Sequence, residues 1–263
     1  MNKKILNILI DNWYQCGIEE NDTLLLHSSI SRLLKKVYRE YGELIKPRDV
    51  FDSLISALGN NGTLILPLYN FDFPKTKHFD IRKTPSKMGA LTEIGRLHPN
   101  AVRTGHPIYS FSIIGKESGA FQEIDNKSGY GSDSPFAKIK ELNGKIAVIG
   151  LPDQNSMTTY HFVEEQNLVD YRYFKNFEGH YIDINGKSSK KTYSLYVRDL
   201  KKGVLTDVDR MMNHLWKKGA YKGERYNEGF GTRVISFNRL YKETETIIQK
   251  GEAANYLYSI KKS

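Results

Sequence analysis

The chain carries two kinds of hydrophobic pattern: the spacing of amphipathic helices, and short continuous apolar runs. Ile5, Leu9 and Trp13 recur at helical spacing and predict a helix over residues 4–16. The continuous runs are bounded by turn residues, which is typical of buried strands in an α/β protein. These predicted strands cover residues 22–28, 63–67, 111–115, 146–151 and 232–237.

Between the strands, capping residues and prolines mark where helices begin. A proline in the first turn is tolerated because the amide it lacks has no partner there. The predicted helices begin at Pro47, Ser86, Ser134–Pro135 and Thr158 or Thr159, and two more cover residues 207–218 and the stretch around Leu240 and Ile247. Because strands and helices alternate, we expect a single mixed α/β domain over residues 1–263.

Two segments depart from this alternation. Residues 179–184 and 192–197 alternate apolar with polar side chains on either side of Asn185 and Gly186, which predicts an antiparallel hairpin inserted in the domain. Residues 69–85 are polar and aromatic without a clear period, and we interpret them as a loop. A loop of this length in a compact domain is more often functional than idle.

Charge and cysteine content limit the classes of function. The formal net charge is +9, and Cys16 is the sole cysteine, so an internal disulfide is excluded and a cytoplasmic location is expected. The apolar N-terminal stretch ends at Asp11, too short for a signal core or a membrane span. The lysines are scattered, and zinc-finger, RNP-like and basic-region motifs are absent, so we expect no nucleic-acid partner. A phosphate-bearing ligand explains the charge equally well.

Several catalytic signatures are missing from the sequence. It has no dinucleotide glycine fingerprint, no Walker loop and no Gly-x-Ser-x-Gly elbow. Its seven histidines do not pair with one another or with cysteine at metal-ligand spacing, so we expect no metal.

The helix predicted at Thr158 or Thr159 holds the best candidate for catalysis. His161 lies near its positive end, where the helix dipole disfavours imidazolium and keeps the ring neutral, as a general base requires. Glu164 lies three residues further, on the same helix face, and can orient the ring. The alternative is a capped surface helix with an ordinary histidine.

Other candidates follow predicted strands or begin helices. His27 and Ser28 come directly after an apolar run, where α/β proteins tend to bind ligands, although they can equally be a turn cap. The free amides after Ser134 suit a phosphate or a pantetheine carbonyl, or Ser134 is simply a good cap. The rings of Tyr69 and Phe71 suit stacking on a sugar or base, or they pack their own loop.

Taken in order, these motifs resemble the aminoglycoside 3-N-acetyltransferase family, also called the antibiotic N-acetyltransferases. The resemblance runs over roughly residues 20 to 180 and is loose in the C-terminal third. The matching stretches are His27-Ser28-Ser29, residues 62–67, residues 84–89, Arg96, Pro99, Arg103, His106-Pro107, Ser110, Gly131, Ser134-Pro135 and residues 158–164.

This resemblance implies a fold distinct from the small GNAT-type acetyltransferases, acetyl-coenzyme A as donor, and His161 as general base with Glu164 beside it. We expect the cofactor to contact His27, Ser28, Ser29, Ser110, Ser134 and Pro135. We expect the acceptor to contact Tyr69, Phe71, Asp72 and Glu165.

The acceptor and the oligomeric state stay open at this point, a homodimer being one option. Aminoglycosides are polycations, so an enzyme that modifies them benefits from an acidic pocket, whereas this chain is basic. We therefore expect a phosphate- or nucleotide-linked amino sugar of surface-polysaccharide synthesis as acceptor. The alternatives are an aminoglycoside itself, with antibiotic resistance as the role, or a non-catalytic basic protein that binds nucleic acid.

Overall fold

The structure, a computed structural model, describes residues 2–261. In this range the strands are β1 (Thr23–Ser28), β2 (Thr63–Pro67), β3 (His78–Asp80), β4 (Val102–Arg103), β5 (Phe111–Gly115), β6 (Lys145–Ile149), β7 (Arg172–Ile182), β8 (Ser188–Arg198), β9 (Val204–Thr206), β10 (Lys222–Gly223), β11 (Thr232–Ser236) and β12 (Tyr258–Ile260).

The α-helices lie between the strands or after them. They are α1 (Lys3–Gln15), α2 (Ser31–Tyr41), α3 (Pro47–Leu58), α4 (Phe73–Thr76), α5 (Ala90–Arg96), α6 (Pro135–Glu141), α7 (Thr159–Gln166), α8 (Asp209–Lys217), α9 (Phe237–Gln249) and α10 (Ala253–Tyr256). Short 3-10 turns cover Lys116–Phe121, Asp153–Asn155 and Leu200–Lys202.

A seven-stranded mixed sheet forms the centre, in the order β10-β11-β6-β1-β2-β5-β4. Its middle strands β6, β1 and β2 are parallel, and the outer strands pair antiparallel to their neighbours. The chain passes from β1 to β2 on one side and later returns to β6 on the other. The carboxyl ends of β1 and β6 therefore meet at a topological switch point, where α/β proteins bind ligands.

Hydrophobic layers cover both faces of this sheet. Along β1, Leu24 and Leu26 point to one face and Leu25 to the other, as the period of a strand requires. One layer packs α1 and α3 on the sheet through Trp13 and Phe51. The other packs α6, α7 and α9 through rings that include Phe136, Phe162 and Phe237. The helix that carries His161 thus packs in this layer, where its Phe162 contacts Phe237 of α9.

The predicted hairpin is present and longer than its sequence signal. β7 and β8 pair over eleven residues each and join through the turn at Asn185 and Gly186, where Gly186 has φ +83°. β3 adds to β7 in parallel, giving a second sheet of order β3-β7-β8. β9 and β12 form a separate antiparallel pair.

Three expectations about local structure were wrong or incomplete. Residues 69–85 are not all loop, because they contain α4 and β3, and β3 is completed by its pairing with β7 a hundred residues later. Ser86 does not cap the next helix, which begins at Ala90. Its Oγ accepts from the Met88 amide and forms a hydrogen bond with the Thr92 hydroxyl. Residues 29–46 had no assigned element and contain α2.

Candidate active site

His161 lies in the first turn of α7, which starts directly after the loop that follows β6. Its Nδ1 is 2.8 Å from Oε2 of Glu164, the contact predicted from their spacing on the helix. The Glu164 side chain is 1% exposed, whereas the His161 side chain is 20% exposed. Within the described residues, Nε2 of His161 has no hydrogen-bond partner, so it faces outward while Nδ1 faces the protein.

Arg172, the first residue of β7, completes the cluster. Its Nε is 2.8 Å from Oε2 of Glu164 and its Nη1 donates to the carbonyl of Tyr196 at 2.9 Å. Burial favours the neutral acid, but the charge of Arg172 and the hydrogen bond from His161 outweigh it and lower the pKa of Glu164. Glu164 is therefore ionised at neutral pH.

An ionised Glu164 decides which nitrogen of His161 carries the proton. A carboxylate only accepts, so Nδ1 is the N–H and Nε2 keeps its lone pair. Nη2 of Arg172 is also 2.8 Å from Nδ1; with the proton assigned to Nδ1 both atoms are donors, so this contact is not a hydrogen bond and Arg172 acts on the ring through its charge alone. Burial and then the Arg172 charge lower the pKa of His161, against the opposing effect of the hydrogen bond that Nδ1 donates to Glu164. The ring is neutral and oriented, as a base requires.

A row of aromatic rings joins His161 to the end of β1. The ring centroids are 5.5 Å apart for His161 and Tyr130, 4.9 Å for Tyr130 and Tyr109, 4.5 Å for Tyr109 and Tyr69, and 6.3 Å for Tyr69 and His27. All three tyrosines are buried. Tyr69 is therefore part of this buried row of rings.

At the switch point lies a cleft of about 450 Å³, which we call the switch-point cleft. It is lined by residues 27–31 after β1, Pro67 at the end of β2, residues 87–91, Leu151 and Asn155. Gly150 has φ +65°, and a Cβ there would lie 2.4 Å from the Ser29 carbonyl oxygen, so the β6 loop approaches the β1 loop as only glycine allows.

The structure brings together half of the residues predicted to contact the cofactor. His27, Ser28 and Ser29 line the switch-point cleft. Burial lowers the pKa of His27 to about 3, so its ring is neutral there. Ser110 is buried elsewhere and accepts hydrogen bonds from Arg103. Ser134 and Pro135 are buried at the start of α6, outside the lining of that cleft, and the Ser134 hydroxyl has no partner.

The residues predicted to contact the acceptor are spread more widely. Phe71 is 51% exposed beside the ring of Tyr109, and Asp72 forms an ion pair with Lys87. Glu165 is buried on α7 next to Glu164, and its Oε2 accepts from the Ser128 hydroxyl at 2.7 Å.

Acidic side chains cluster on the side of α7 that carries Glu165. Burial raises the pKa of Glu165 to about 7, and nearby Asp133 contributes to this rise. Asp133 also lines an open cleft of about 560 Å³ together with Glu123 and Asp125, which we call the acidic cleft. Lys191 and Tyr193 bond to Asp125, whereas Asp133 has no ion pair within residues 2–261.

Sequence reasoning missed Arg172, Ser128 and Asp133. None of them belongs to a local motif with His161, because each reaches α7 from a different part of the chain. The sequence held a signal only for the acidic group. Residues 123–133 contain three carboxylates, Glu123, Asp125 and Asp133, but the positive net charge of the whole chain drew attention away from them.

Residues 2–261 contain neither a metal-binding cluster nor a membrane-spanning helix. No three side chains of His, Cys, Asp or Glu are grouped to hold a metal ion. No helix there combines the length and the apolar character needed to cross a bilayer.

Comparison with known proteins identifies the family of the chain. A profile described as aminoglycoside 3-N-acetyltransferase matches residues 25–248. Aminoglycoside N(3)-acetyltransferase VII of Streptomyces paromomycinus is 28% identical over 181 residues, which is 59% of this chain and 60% of the relative. The aminoglycoside N(3')-acetyltransferase-like protein YokD of Bacillus subtilis is 24% identical over 200 residues, 67% of this chain and 70% of the relative. The chain thus spans about 60% of the length of the first of these relatives.

Solved structures show the same fold at lower identity. AAC-IIIb in a binary complex with CoASH superposes with a TM-score of 0.76 at 18% identity, covering 94% of this chain and 96% of the other. AAC-VIa bound to sisomicin superposes with a TM-score of 0.76 at 20% identity, covering 95% of this chain and 98% of the other. The predicted mixed α/β class, distinct from the GNAT type, is confirmed. Because the profile covers most of its length, the chain belongs to the aminoglycoside 3-N-acetyltransferase family.

Proposed function

We propose that this protein is an acetyl-coenzyme A-dependent N-acetyltransferase that acylates an amine of an aminoglycoside. One observation carries the proposal: Nδ1 of His161 is held by an ionised Glu164 while Nε2 is left free with its lone pair. That is the arrangement of a general base. Family membership supports the same reaction.

The chemistry requires a base because an amine is protonated and unreactive at neutral pH. The ammonium first loses one proton to solvent. The free amine then forms a bond from its nitrogen to the thioester carbonyl carbon of the donor, the carbon–sulfur bond breaks, and coenzyme A leaves as a thiolate. Nε2 of His161 takes a proton from the incoming amine, and the imidazolium that forms is stabilised by Glu164 at 2.8 Å. Arg172 keeps Glu164 ionised throughout. Its charge also disfavours a lasting imidazolium, so the ring gives up the proton readily to the departing thiolate.

The switch-point cleft fits the donor. Its lining includes the hydroxyl-bearing residues Ser28 and Ser29. The apolar residues Met88, Leu91 and Leu151 also line it. A pantetheine arm combines amides with alkyl segments, so it matches this mixed lining. The ring row from His27 to Tyr130 lies between the cleft and His161.

The acceptor we propose differs from the one expected from net charge. The relatives carry the name of aminoglycoside acetyltransferases, and AAC-VIa is bound to sisomicin. Asp133 and the acidic cleft supply local negative charge beside Glu165, whose own carboxyl adds to it above about pH 7. Close carboxylates act on a bound ammonium group more strongly than distant lysines, which salt screens. The comparisons therefore support an aminoglycoside better than a phosphate-linked amino sugar. A cytoplasmic location remains a prediction.

The test is thiol release from acetyl-coenzyme A with a panel of acceptors. The panel contains 2-deoxystreptamine aminoglycosides, nucleotide-linked amino sugars and simple amines, and NMR of the product locates the acetyl group. We expect turnover with the aminoglycosides and none with the sugar nucleotides. Turnover confined to sugar nucleotides contradicts the proposed acceptor, and no turnover with any amine contradicts the proposed reaction.

A matched pair of variants tests the base. His161→Ala should lower kcat by about 10²–10⁴-fold, the usual share of a general base, with coenzyme A binding kept. His214→Ala is the control, because His214 also lies on a helix with a ring nitrogen 3.3 Å from a carboxylate, that of Glu243. It should keep its rate. Equal rates in the two variants exclude His161 as the base.

A further inference from the structure

A buried carboxylate, Asp153, binds three partners beneath the start of α7. Its Oδ2 accepts from the hydroxyl of Tyr160 at 2.6 Å and from that of Tyr221 at 2.7 Å. Its Oδ1 accepts from Nη2 of Arg233 at 2.7 Å. All four side chains are buried. The proposed reaction uses none of them.

The cluster ties the loop between β6 and α7 to the sheet. Arg233 belongs to β11, the neighbour of β6, and its Nη1 donates to the carbonyl of Leu151 at 2.6 Å. The loop is therefore attached to Arg233 of β11 at two points, the side chain of Asp153 and the backbone carbonyl of Leu151. The backbone carbonyl of Asp153 also accepts from the amides of Ser156 and Met157. This loop leads directly into α7.

A buried ion pair is weak evidence for a stabilising role, because the desolvation of both charges offsets their attraction. A fixed geometry is a better account. α7 has only eight residues, and its N-cap, Thr158, makes no side-chain capping bond. A short helix without such a cap depends on tertiary contacts for its position.

Tyr160 is the contact between this cluster and the helix. It directly precedes His161, and successive helical side chains point about 100° apart. With the Tyr160 hydroxyl anchored on Asp153 inside the core, the His161 ring is turned toward Tyr130 and the surface. Rotation of α7 would break both the Tyr160 bond and the contact of Nδ1 with Arg172 from β7.

We propose that Tyr160 is a positioning residue, whose hydroxyl on Asp153 sets the rotation of α7 and thereby aims His161. The inference rests on the proposed function of His161 as a base. Tyr160 does not touch the substrate.

Tyr160→Phe and Tyr221→Phe form a matched pair, since each removes one hydroxyl that donates to the same carboxylate oxygen. Both leave the pair of Asp153 with Arg233 in place, whereas replacing Asp153 would leave a buried guanidinium alone and threaten folding. We expect similar losses in Tm. Tyr160→Phe should lower kcat by about 5–50-fold with the KM for acetyl-coenzyme A within twofold. Tyr221→Phe should keep both within twofold.

A second readout does not need turnover. The imidazole signals of His161, assigned by their loss in His161→Ala, are followed by NMR from pH 5 to 9. Tyr160→Phe should shift the chemical shifts and the titration of His161, and Tyr221→Phe should leave them unchanged. Equal effects of the two variants on kcat and on these signals overturn the positioning role. Absence of turnover in the wild type instead contradicts the proposed function, and the NMR comparison still decides the role of Tyr160.

Discussion

Replacement of Glu164 by Gln separates the catalytic from the structural part of the cluster. The carboxylate does two things: it accepts from Nδ1 of His161 at 2.8 Å, and it balances the buried charge of Arg172. A glutamine has the same shape without the charge. Its amide can also donate to Nδ1, which stabilises the tautomer with a protonated Nε2. The ring then has no free lone pair for the amine.

The two effects have different sizes. The exposed fractions of the Arg172 and Glu164 side chains are 5% and 1%, so the pair is fully desolvated. Removing one partner of such a pair costs about 3–5 kcal/mol of unfolding free energy, because the remaining charge is buried alone. Loss of the correct tautomer should lower kcat by about 10²–10⁴-fold. With the raising influence of Glu164 gone, the pKa of His161 should fall further.

The assay combines thiol release with urea unfolding, and a double variant provides the separation. Glu164→Gln with Arg172→Met removes both charges, so it should recover much of the stability lost in Glu164→Gln alone. Its kcat should stay low, because no carboxylate orients His161. A double variant that regains stability and also turns over at the wild-type rate would refute a role for Glu164 beyond folding.

Three further predictions concern other parts of the molecule. Because the pKa of Glu165 is raised to about 7, its charge appears only above that pH, and the folded state loses stability as pH rises through this value. Glu165→Gln should therefore raise the KM for the acceptor at pH 8 more than at pH 6. Relative to the wild type, its urea midpoint should be higher at pH 8 than at pH 6. Burial lowers the pKa of His27 to about 3 and of His106 to about 4, so the unfolded chain binds more protons below pH 6.5. Unfolding free energy should then fall by up to about 1.4 kcal/mol per pH unit for each ring, and a urea midpoint that does not change between pH 7 and 5 contradicts this. Gly150→Ala should weaken coenzyme A binding, measured by calorimetry, because φ is +65° and the new Cβ would meet the Ser29 carbonyl; unchanged affinity places the donor elsewhere.

The elements that sequence predicted well are those with a strong local pattern. β1, β2, β5 and β6 are continuous apolar runs, and the turn at Asn185 and Gly186 identified the hairpin. α2 fully buries only Leu33 and Val37, with Leu34 partly buried beside them, so its apolar stripe is narrow. β3 has three residues and exists through pairing with β7, a distant partner that no local window contains.

The same division holds for the site. Glu164 was predicted beside His161 because three residues along a helix bring side chains together. Arg172 was not, since it reaches the cluster through the start of β7, and its charge acts together with burial where a helix dipole was expected. Net charge is a poor guide to the acceptor we propose, because it averages over the whole surface, whereas Glu165 and Asp133 act locally.

The parallel pairing of β1 with β6 also bears on how the chain is made. β1 ends at Ser28, whereas its neighbour on one side, β6, begins only at Lys145. Translation at about 5–20 residues per second leaves that edge of β1 uncovered for roughly 6–24 s. During this interval the backbone edge of β1 at Leu25 has no partner strand and is exposed to other nascent chains. We therefore expect the nascent polypeptide to bind holdase chaperones until β6 emerges.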